Sequence, residues 1–170
     1  PDTTAAGGAR IASRDEGAPA IGKSGAKNPA DYLELTFPAE AGQPYHLWIR
    51  GKAENDDIAN DSVHVQFSHA VDSVGTPMYR IGTRTVATIT LKYCCSTSCN
   101  PSGWGWRDDA QSGRVSAPIY FASSGPQTIR IQPREDGMSI DQIVLSPSDY
   151  LTVSPGARKD DDTLLPEPAR

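Results

Sequence analysis

The sequence of 170 residues is short of basic side chains and of long apolar runs. It has 16 Lys and Arg against 21 Asp and Glu, a formal net charge of −5, and no basic stripe. This argues against nucleic-acid binding, because contact with a phosphate backbone depends on clustered Lys and Arg. No apolar run approaches the roughly 18 to 20 residues that cross a bilayer. We therefore expect neither nucleic-acid binding nor membrane insertion.

The sequence also lacks the motifs of common enzymes. It contains no Gly-x-Ser-x-Gly elbow, no phosphate-binding glycine loop, no dinucleotide fingerprint and no HExxH pair. Its three histidines are His46, His64 and His69, and none has the spacing of a paired metal ligand. We interpret them as ordinary side chains on strand faces, and we predict that the protein is not an enzyme.

Glycine and proline are distributed in a way that predicts one β-domain with a tail. The 15 Gly and 14 Pro separate short apolar runs, and no segment keeps a helical apolar repeat for three turns. After Leu151 the composition changes to Pro and Asp, so we predict a β-sandwich module over residues 1–151 and a tail or linker over residues 152–170. The chain begins at Pro1 rather than Met, which we interpret as a processed protein or an excised module.

Alternating apolar and polar residues predict an all-β fold, a two-sheet antiparallel β-sandwich. Residues 31–37, DYLELTF, divide into an apolar and a polar face. Residues 44–52, PYHLWIRGK, alternate in the same way and turn His46, Trp48 and Arg50 outward. Strands of this length between Gly, Pro, Asn, Asp and Ser clusters are typical of sandwiches and barrels. The other predicted strands are 9–12, 63–68, 78–82, 87–93, 118–122, 128–132 and 139–145.

All three cysteines lie close together in residues 93–108, YCCSTSCNPSGWGWRD. Three Cys without a nearby His fall short of the four ligands of a closed zinc site, and the spacing is not that of a Cys-x-x-Cys redox motif. We predict a disulfide from Cys99 to either Cys95 or Cys94, formed in an oxidising compartment. The remaining cysteine is then buried or forms an intermolecular bond. The bridge would fix the hairpin from which GWGWRD projects.

Four blocks of the sequence resemble carbohydrate-binding modules of families 6 and 35. In chain order they are TTAAGGARI, YLELTFPAEAGQPYHLWIRGKA, VHVQFS and GPQTIRIQPREDGMSIDQIVLSP, which together cover roughly residues 3–147. The central part departs from both families and is similar to modules of large secreted bacterial proteins in which GWGW precedes an IYF strand. The resemblance implies a galactose-binding-like jelly roll, an extracellular or cell-surface location in a bacterium, and a polysaccharide or glycan partner.

The resemblance also implies a structural calcium ion. Family members commonly hold it between an acidic N-terminal strand and an Asp of the last strand, and calcium takes six to eight oxygen ligands. Asp141 in SIDQIV matches the second position, and Asp2 is the only acid near the first. The glutamate doublet that the family pattern has upstream is missing. In the alternative interpretation, Asp141 accepts hydrogen bonds from backbone amides.

Sugar recognition in such modules combines an aromatic face with polar side chains that bind hydroxyl groups. Trp104 and Trp106, with Arg107 and Asp108 beside them, supply both in one loop. In the alternative interpretation, the two tryptophans point to the same side and pack under the loop as a small secondary core. These four residues are the predicted carbohydrate-binding site.

Two further features concern the surface. Asn60 begins an Asn-x-Ser triplet, a possible glycosylation acceptor whose alternative is an unmodified polar turn. Leu164 and Leu165 are the only pair of apolar side chains in the tail, and they favour its docking on an identical neighbouring subunit.

The sequence thus leaves two functions open. One is a non-catalytic module that binds polysaccharide, and the other is a structural repeat or subunit of an extracellular filament assembled through its terminal segments.

Overall fold

The computed structural model describes residues 2–92, 101–110 and 115–157, and within them the fold is all-β and antiparallel. The predicted β-sandwich is confirmed. Besides strands, these ranges contain three single-turn 3₁₀ helices, Ala6–Gly8, Gly25–Lys27 and Glu54–Asp56, and none of them is long and apolar enough to cross a membrane. The strands are β1 Ile11–Ala12, β2 Leu33–Ala39, β3 His46–Ala53, β4 Ser62–Phe67, β5 Ala70–Val71, β6 Ala87–Thr90, β7 Gly105–Arg107, β8 Tyr120–Phe121, β9 Gly125–Pro133 and β10 Met138–Ser146.

Two four-stranded sheets form the sandwich. The first sheet has the order β1-β10-β3-β7, and the second sheet has the order β2-β9-β4-β6. A small third sheet pairs β5 with β8. The longest contact in the first sheet joins β10 to β3, and its register shifts between Ile140 and Gln142. A bulge at this point places Asp141 outside the regular alternation of the strand.

The period of two in β2 appears in the structure as predicted. Phe37 is buried, and Leu33 and Leu35 are half-buried against the core, whereas Glu34 and Thr36 are exposed. A strand at the edge of one sheet of a sandwich buries one face and leaves the other in water, which produces this alternation. The apolar pattern of DYLELTF therefore fixes which face of β2 meets the first sheet.

Aromatic side chains join the two sheets in the core. The ring of Phe121, on β8, is fully buried and meets the rings of Phe37, Tyr45 and Phe67 edge-on, with centroid distances of 5.5, 5.3 and 5.9 Å. Edge-to-face contacts of this kind stabilise a core beyond the area they bury. Phe121 thus links residues from β2, from β4 and from the approach to β3.

The prediction of a strand over residues 78–82 is wrong. These residues form a loop that joins β4 through only two backbone hydrogen bonds, from Phe67 N to Tyr79 O at 2.7 Å and from Ile81 N to Phe67 O at 3.0 Å. Tyr79 has φ of +48°, a left-handed conformation that interrupts an extended strand. The apolar pattern of MYRIG reflects packing of Met78 and Tyr79 on the core rather than strand pairing.

Candidate functional site

The outer face of β3, which the sequence analysis expected to meet solvent, is covered. His46, Trp48 and Arg50 point away from the core as predicted, but all three are buried. The indole Nε1 of Trp48 donates a hydrogen bond to the carbonyl oxygen of Tyr150 at 2.9 Å. The chain that follows β10 therefore packs on this face, where its backbone satisfies a buried indole.

Trp104 lies at the rim of this covered face and remains partly exposed. Its Nε1 donates to Thr4 Oγ1 at 2.9 Å, and the guanidinium carbon of Arg50 is 5.2 Å from the centroid of its ring. A guanidinium over an indole face is a favourable cation–π arrangement. The N-terminal loop and β3 thus hold the indole from two sides.

The glycines of GWGW have different structural roles. Gly103 has φ of +72°, which turns the backbone in a way that side chains with a Cβ rarely allow. Gly105 begins β7, and a Cβ there would overlap the ring of Pro101.

Trp106 pairs with Arg50 across the ladder between β7 and β3 and is 7% exposed. The Nε1 of its indole has no acceptor among the described residues. Trp106 therefore lies on the same face of the sheet as Trp104 but is covered.

Asp108 is part of a buried hydrogen-bond network. Its Oδ2 lies 3.1 Å from His46 Nε2 and accepts from Ser116 N at 2.7 Å, and its Oδ1 accepts from Ala110 N at 3.1 Å. Burial alone would raise the pKa of Asp108, but the bonds from His46, Ser116 and Ala110 lower it below the usual value of an aspartate. This carboxylate therefore stays ionised and fixes the chain after β7.

Arg107 is half-buried and points toward β6. Its Nε donates to the carbonyl oxygen of Leu91 at 2.9 Å, and burial lowers the pKa of its guanidinium. Of the four predicted sugar-binding residues, Trp106 and Asp108 are buried and Arg107 is half-buried. Trp104 is the member of the set whose ring reaches the surface beside other polar groups.

Asp141 and Asp2, the predicted calcium ligands, are both bonded to nitrogen or hydroxyl donors. The side chain of Asp141 is fully buried, and its Oδ2 accepts from Ala6 N at 2.8 Å and pairs with the Arg50 guanidinium. Asp2 Oδ1 accepts from the backbone N and the hydroxyl of Thr4, at 2.9 and 2.5 Å. Hydrogen bonds from Thr4 lower the pKa of Asp2.

Calcium binding at Asp141 and Asp2 stays a prediction. Calcium needs oxygen ligands around it, whereas the Asp141 carboxylate faces a guanidinium and a backbone N–H. Arg10 also lies near, with Nη1 3.5 Å from Asp2 Oδ2. Among the described residues, no three His, Cys, Asp or Glu side chains are grouped to hold a metal. The positive charge next to Asp141 comes from Arg50.

The remaining predicted site residues are buried or lie outside the described ranges. Asn60, the glycosylation candidate, is 5% exposed, and its Nδ2 donates to Asp15 Oδ2 at 2.9 Å. A glycan is attached to an exposed amide, whereas the Asn60 side chain is buried in this structure. Cys94, Cys95 and Cys99, the disulfide candidates, and Leu164 and Leu165, the assembly candidates, fall outside the described residues.

A second polar and aromatic cluster lies on the outer face of the second sheet. Tyr32 is 51% exposed, and the guanidinium carbon of Arg130 lies 4.4 Å from the centroid of its ring. Arg130 Nη2 also pairs with Glu34 Oε1 at 2.7 Å. The alternation of DYLELTF already put Tyr32 and Glu34 on one face, but the third member is 96 residues further along the chain. Sequence reasoning therefore missed this cluster.

Comparison with known proteins leaves the family of this chain open. No protein-family model matches the chain, and no curated protein matches it.

Proposed function

We propose that this chain is a non-catalytic extracellular β-sandwich module that binds carbohydrate and anchors a larger secreted assembly to polysaccharide. The observation that carries the proposal is Trp104, a partly exposed indole fixed beside Arg50 and the hydroxyl of Thr4. Sugars bind to rigid aromatic faces next to hydrogen-bonding side chains, and a ring that is already held loses little entropy on binding. Asp2 and Arg10 supply further polar groups at the same rim.

The sequence blocks similar to families 6 and 35 support the same proposal. They run in the family order through β1, β2, β3, β4, β9 and β10, the strands that form most of both sheets. In this proposal the sandwich is a galactose-binding-like jelly roll of a bacterial cell-surface or secreted protein. The Arg50 side chain pairs with Asp141 in this sandwich.

The proposal is tested by measuring polysaccharide binding of the wild type and of two matched variants. We expect Trp104→Ala to weaken binding at least about tenfold, about 1.4 kcal/mol, because tryptophans at the centre of a binding site are frequent hot spots whose truncation costs about 2 kcal/mol or more. Tyr32→Ala is the control, since Tyr32 is also an exposed ring next to an arginine but lies on the other sheet. Binding that survives Trp104→Ala and is lost with Tyr32→Ala would contradict the site, and a wild type that binds no glycan on an array would contradict the function.

A second candidate function, a subunit of an extracellular filament, is favoured by an open strand edge. β1 pairs with β10 only at Ser139 and Ile140, so residues 142–146 have β3 on one side and no strand of the described ranges on the other. Next to this edge is a groove of about 650 Å³ with apolar walls, which include Leu35 and Leu145. Open edges accept an extended segment of another chain, and in this candidate function that segment is the tail of a neighbouring subunit.

A further inference from the structure

Asp56 lies in a strained turn directly after β3. Asn55 and Asp56 both have positive φ, +56° and +55°, within the 3₁₀ turn Glu54–Asp56. Asn and Asp tolerate this region better than other residues with a Cβ, but two in succession are uncommon. Such strain persists where the surrounding contacts fix the residue, and it is concentrated at functional sites.

The contacts that fix Asp56 come from the segment that carries Trp104. Asp56 Oδ2 accepts from the hydroxyl of Ser102 at 2.5 Å, and Oδ1 accepts from the backbone N–H of Gly103 at 2.8 Å. Lys92 follows shortly after the end of β6, and its Nζ is 3.5 Å from the same Oδ1. One carboxylate therefore binds three groups from two parts of the chain that are distant from it in sequence.

The backbone on either side of Trp104 needs such an anchor. Gly103 precedes the indole, and a glycine with φ of +72° has no side chain that limits its rotation. On the other side, Gly105 is held by its pairing with Gly51 in β3. Without the bonds to Asp56, the backbone before Trp104 would lose its anchor, and only the contacts after and around the indole, from Gly51, Thr4 and Arg50, would remain.

We propose that Asp56 is the positioning residue of the carbohydrate site, and that its carboxylate sets the place of the Trp104 indole by binding Ser102 and Gly103. This inference rests on the proposed function for its ligand. It adds a residue that touches no sugar and controls affinity through the backbone before Trp104. The charge of Asp56 is part of this role, because charge-assisted hydrogen bonds to a carboxylate are stronger than neutral ones.

The test compares Asp56→Asn with Asp57→Asn. Asn fits the left-handed backbone and has nearly the shape of Asp, but its side chain offers one acceptor oxygen in place of two. Asp57 is a matched control, because it lies in the same loop and its Oδ1 accepts a local bond from Ala59 N at 2.9 Å. Ser102→Ala removes one of the two bonds and should give a weaker form of the same effect.

Amide hydrogen exchange gives the first readout, and it does not depend on a sugar. In Asp56→Asn we expect the Gly103 amide to exchange at least about tenfold faster while amides of β4 and β10 keep their protection. Asp57→Asn should leave Gly103 unchanged. Unchanged exchange at Gly103 in Asp56→Asn, or a uniform rise over the whole fold, would overturn the positioning role.

Affinity for the polysaccharide gives the second readout. We expect Asp56→Asn to weaken binding several-fold, by less than Trp104→Ala, and Asp57→Asn to bind as the wild type does. Wild-type affinity in Asp56→Asn would overturn the inference even if Gly103 exchanges faster. A wild type that binds no glycan would overturn the proposed function, and the exchange experiment would still decide whether Asp56 fixes the segment before Trp104.

Discussion

Single buried charges determine much of this structure, and Arg50 is the clearest case. Its guanidinium pairs with Asp141, lies against the Trp104 ring, and is opposite Trp106 in the ladder. A buried carboxylate without a cation is costly, so this pair keeps the bulge of β10 and the rim of the proposed site together. One side chain thus couples the fold to the surface where a ligand is proposed to bind.

A buried carboxyl group, that of Asp61, makes the stability of the protein depend on pH. Asp61 is 1% exposed, and its Oδ2 accepts from Lys92 N at 2.7 Å. Burial and the nearby Glu135 carboxyl group raise the pKa of Asp61 to about 7. Glu135 in turn accepts from Ser62 Oγ at 2.6 Å and pairs with Arg134. Asp61 is therefore protonated in the folded protein at pH values where it is ionised in the unfolded chain.

We expect Asp61→Asn to remove this pH dependence. A raised carboxyl pKa contributes stability at low pH that is lost as the pH rises from about 4 to about 7, since only the folded state keeps the proton. Between pH 5 and pH 7.5, the free energy of unfolding of the wild type should fall by roughly 1 to 3 kcal/mol relative to the variant. Urea denaturation at the two pH values measures this. An equal change in both proteins would contradict the assignment to Asp61.

At the scale of elements, short strands carry more of the core than their length suggests. β8 contains only Tyr120 and Phe121, yet the Phe121 ring touches Phe37, Tyr45 and Phe67. The sequence predicted a five-residue strand here because PIYFA has β-forming residues. The pairing partner of β8 is the two-residue β5, which limits the ladder to two residue pairs.

We expect Phe121→Ala to lower the free energy of unfolding by roughly 3 to 5 kcal/mol, because it removes a fully buried ring and leaves a cavity between the sheets. Phe121→Leu keeps most of the volume and should cost clearly less. Guanidinium denaturation of the wild type and both variants measures the difference. Equal losses in the two variants would show that the aromatic contacts, rather than the filled volume, determine the stability.

At the scale of the whole molecule, the two candidate functions use different surfaces. The carbohydrate proposal depends on Trp104 at the rim of the first sheet, near its β7 edge. The filament alternative depends on the open part of β10, residues 142–146, on the other side of β3. Because β3 lies between Trp104 and residues 142–146, a change at either can be made without changing the other.

Deletion of residues 158–170 separates the two functions. We expect the truncated protein to keep its polysaccharide affinity within about twofold, since the contacts of Trp104 within the described residues come from Thr4 and Arg50. Affinity measurements and electron microscopy of both proteins give the result. Helical polymers of the wild type that disappear on deletion would contradict the module proposal and support the filament alternative.

The sequence by itself determined the fold class and the direction of most strand faces. Period-two alternation predicted that the Leu35 side of β2 is turned inward and that Trp48 and Arg50 are turned away from the core, because strand geometry allows only two faces. It did not determine which faces are covered. Trp48 is buried by the chain around Tyr150, and Arg50 by its pairing with Asp141.

Only the tertiary structure decided which members of a motif reach the surface and which charges are paired. GWGWRD reads as one loop in the sequence, but β7 pairs with β3 and buries Trp106 while Trp104 stays at the rim. Asp56 meets Ser102 across 46 residues. Such contacts depend on where separate strands and loops meet in space, whereas the local pattern records only the preferences of neighbouring residues.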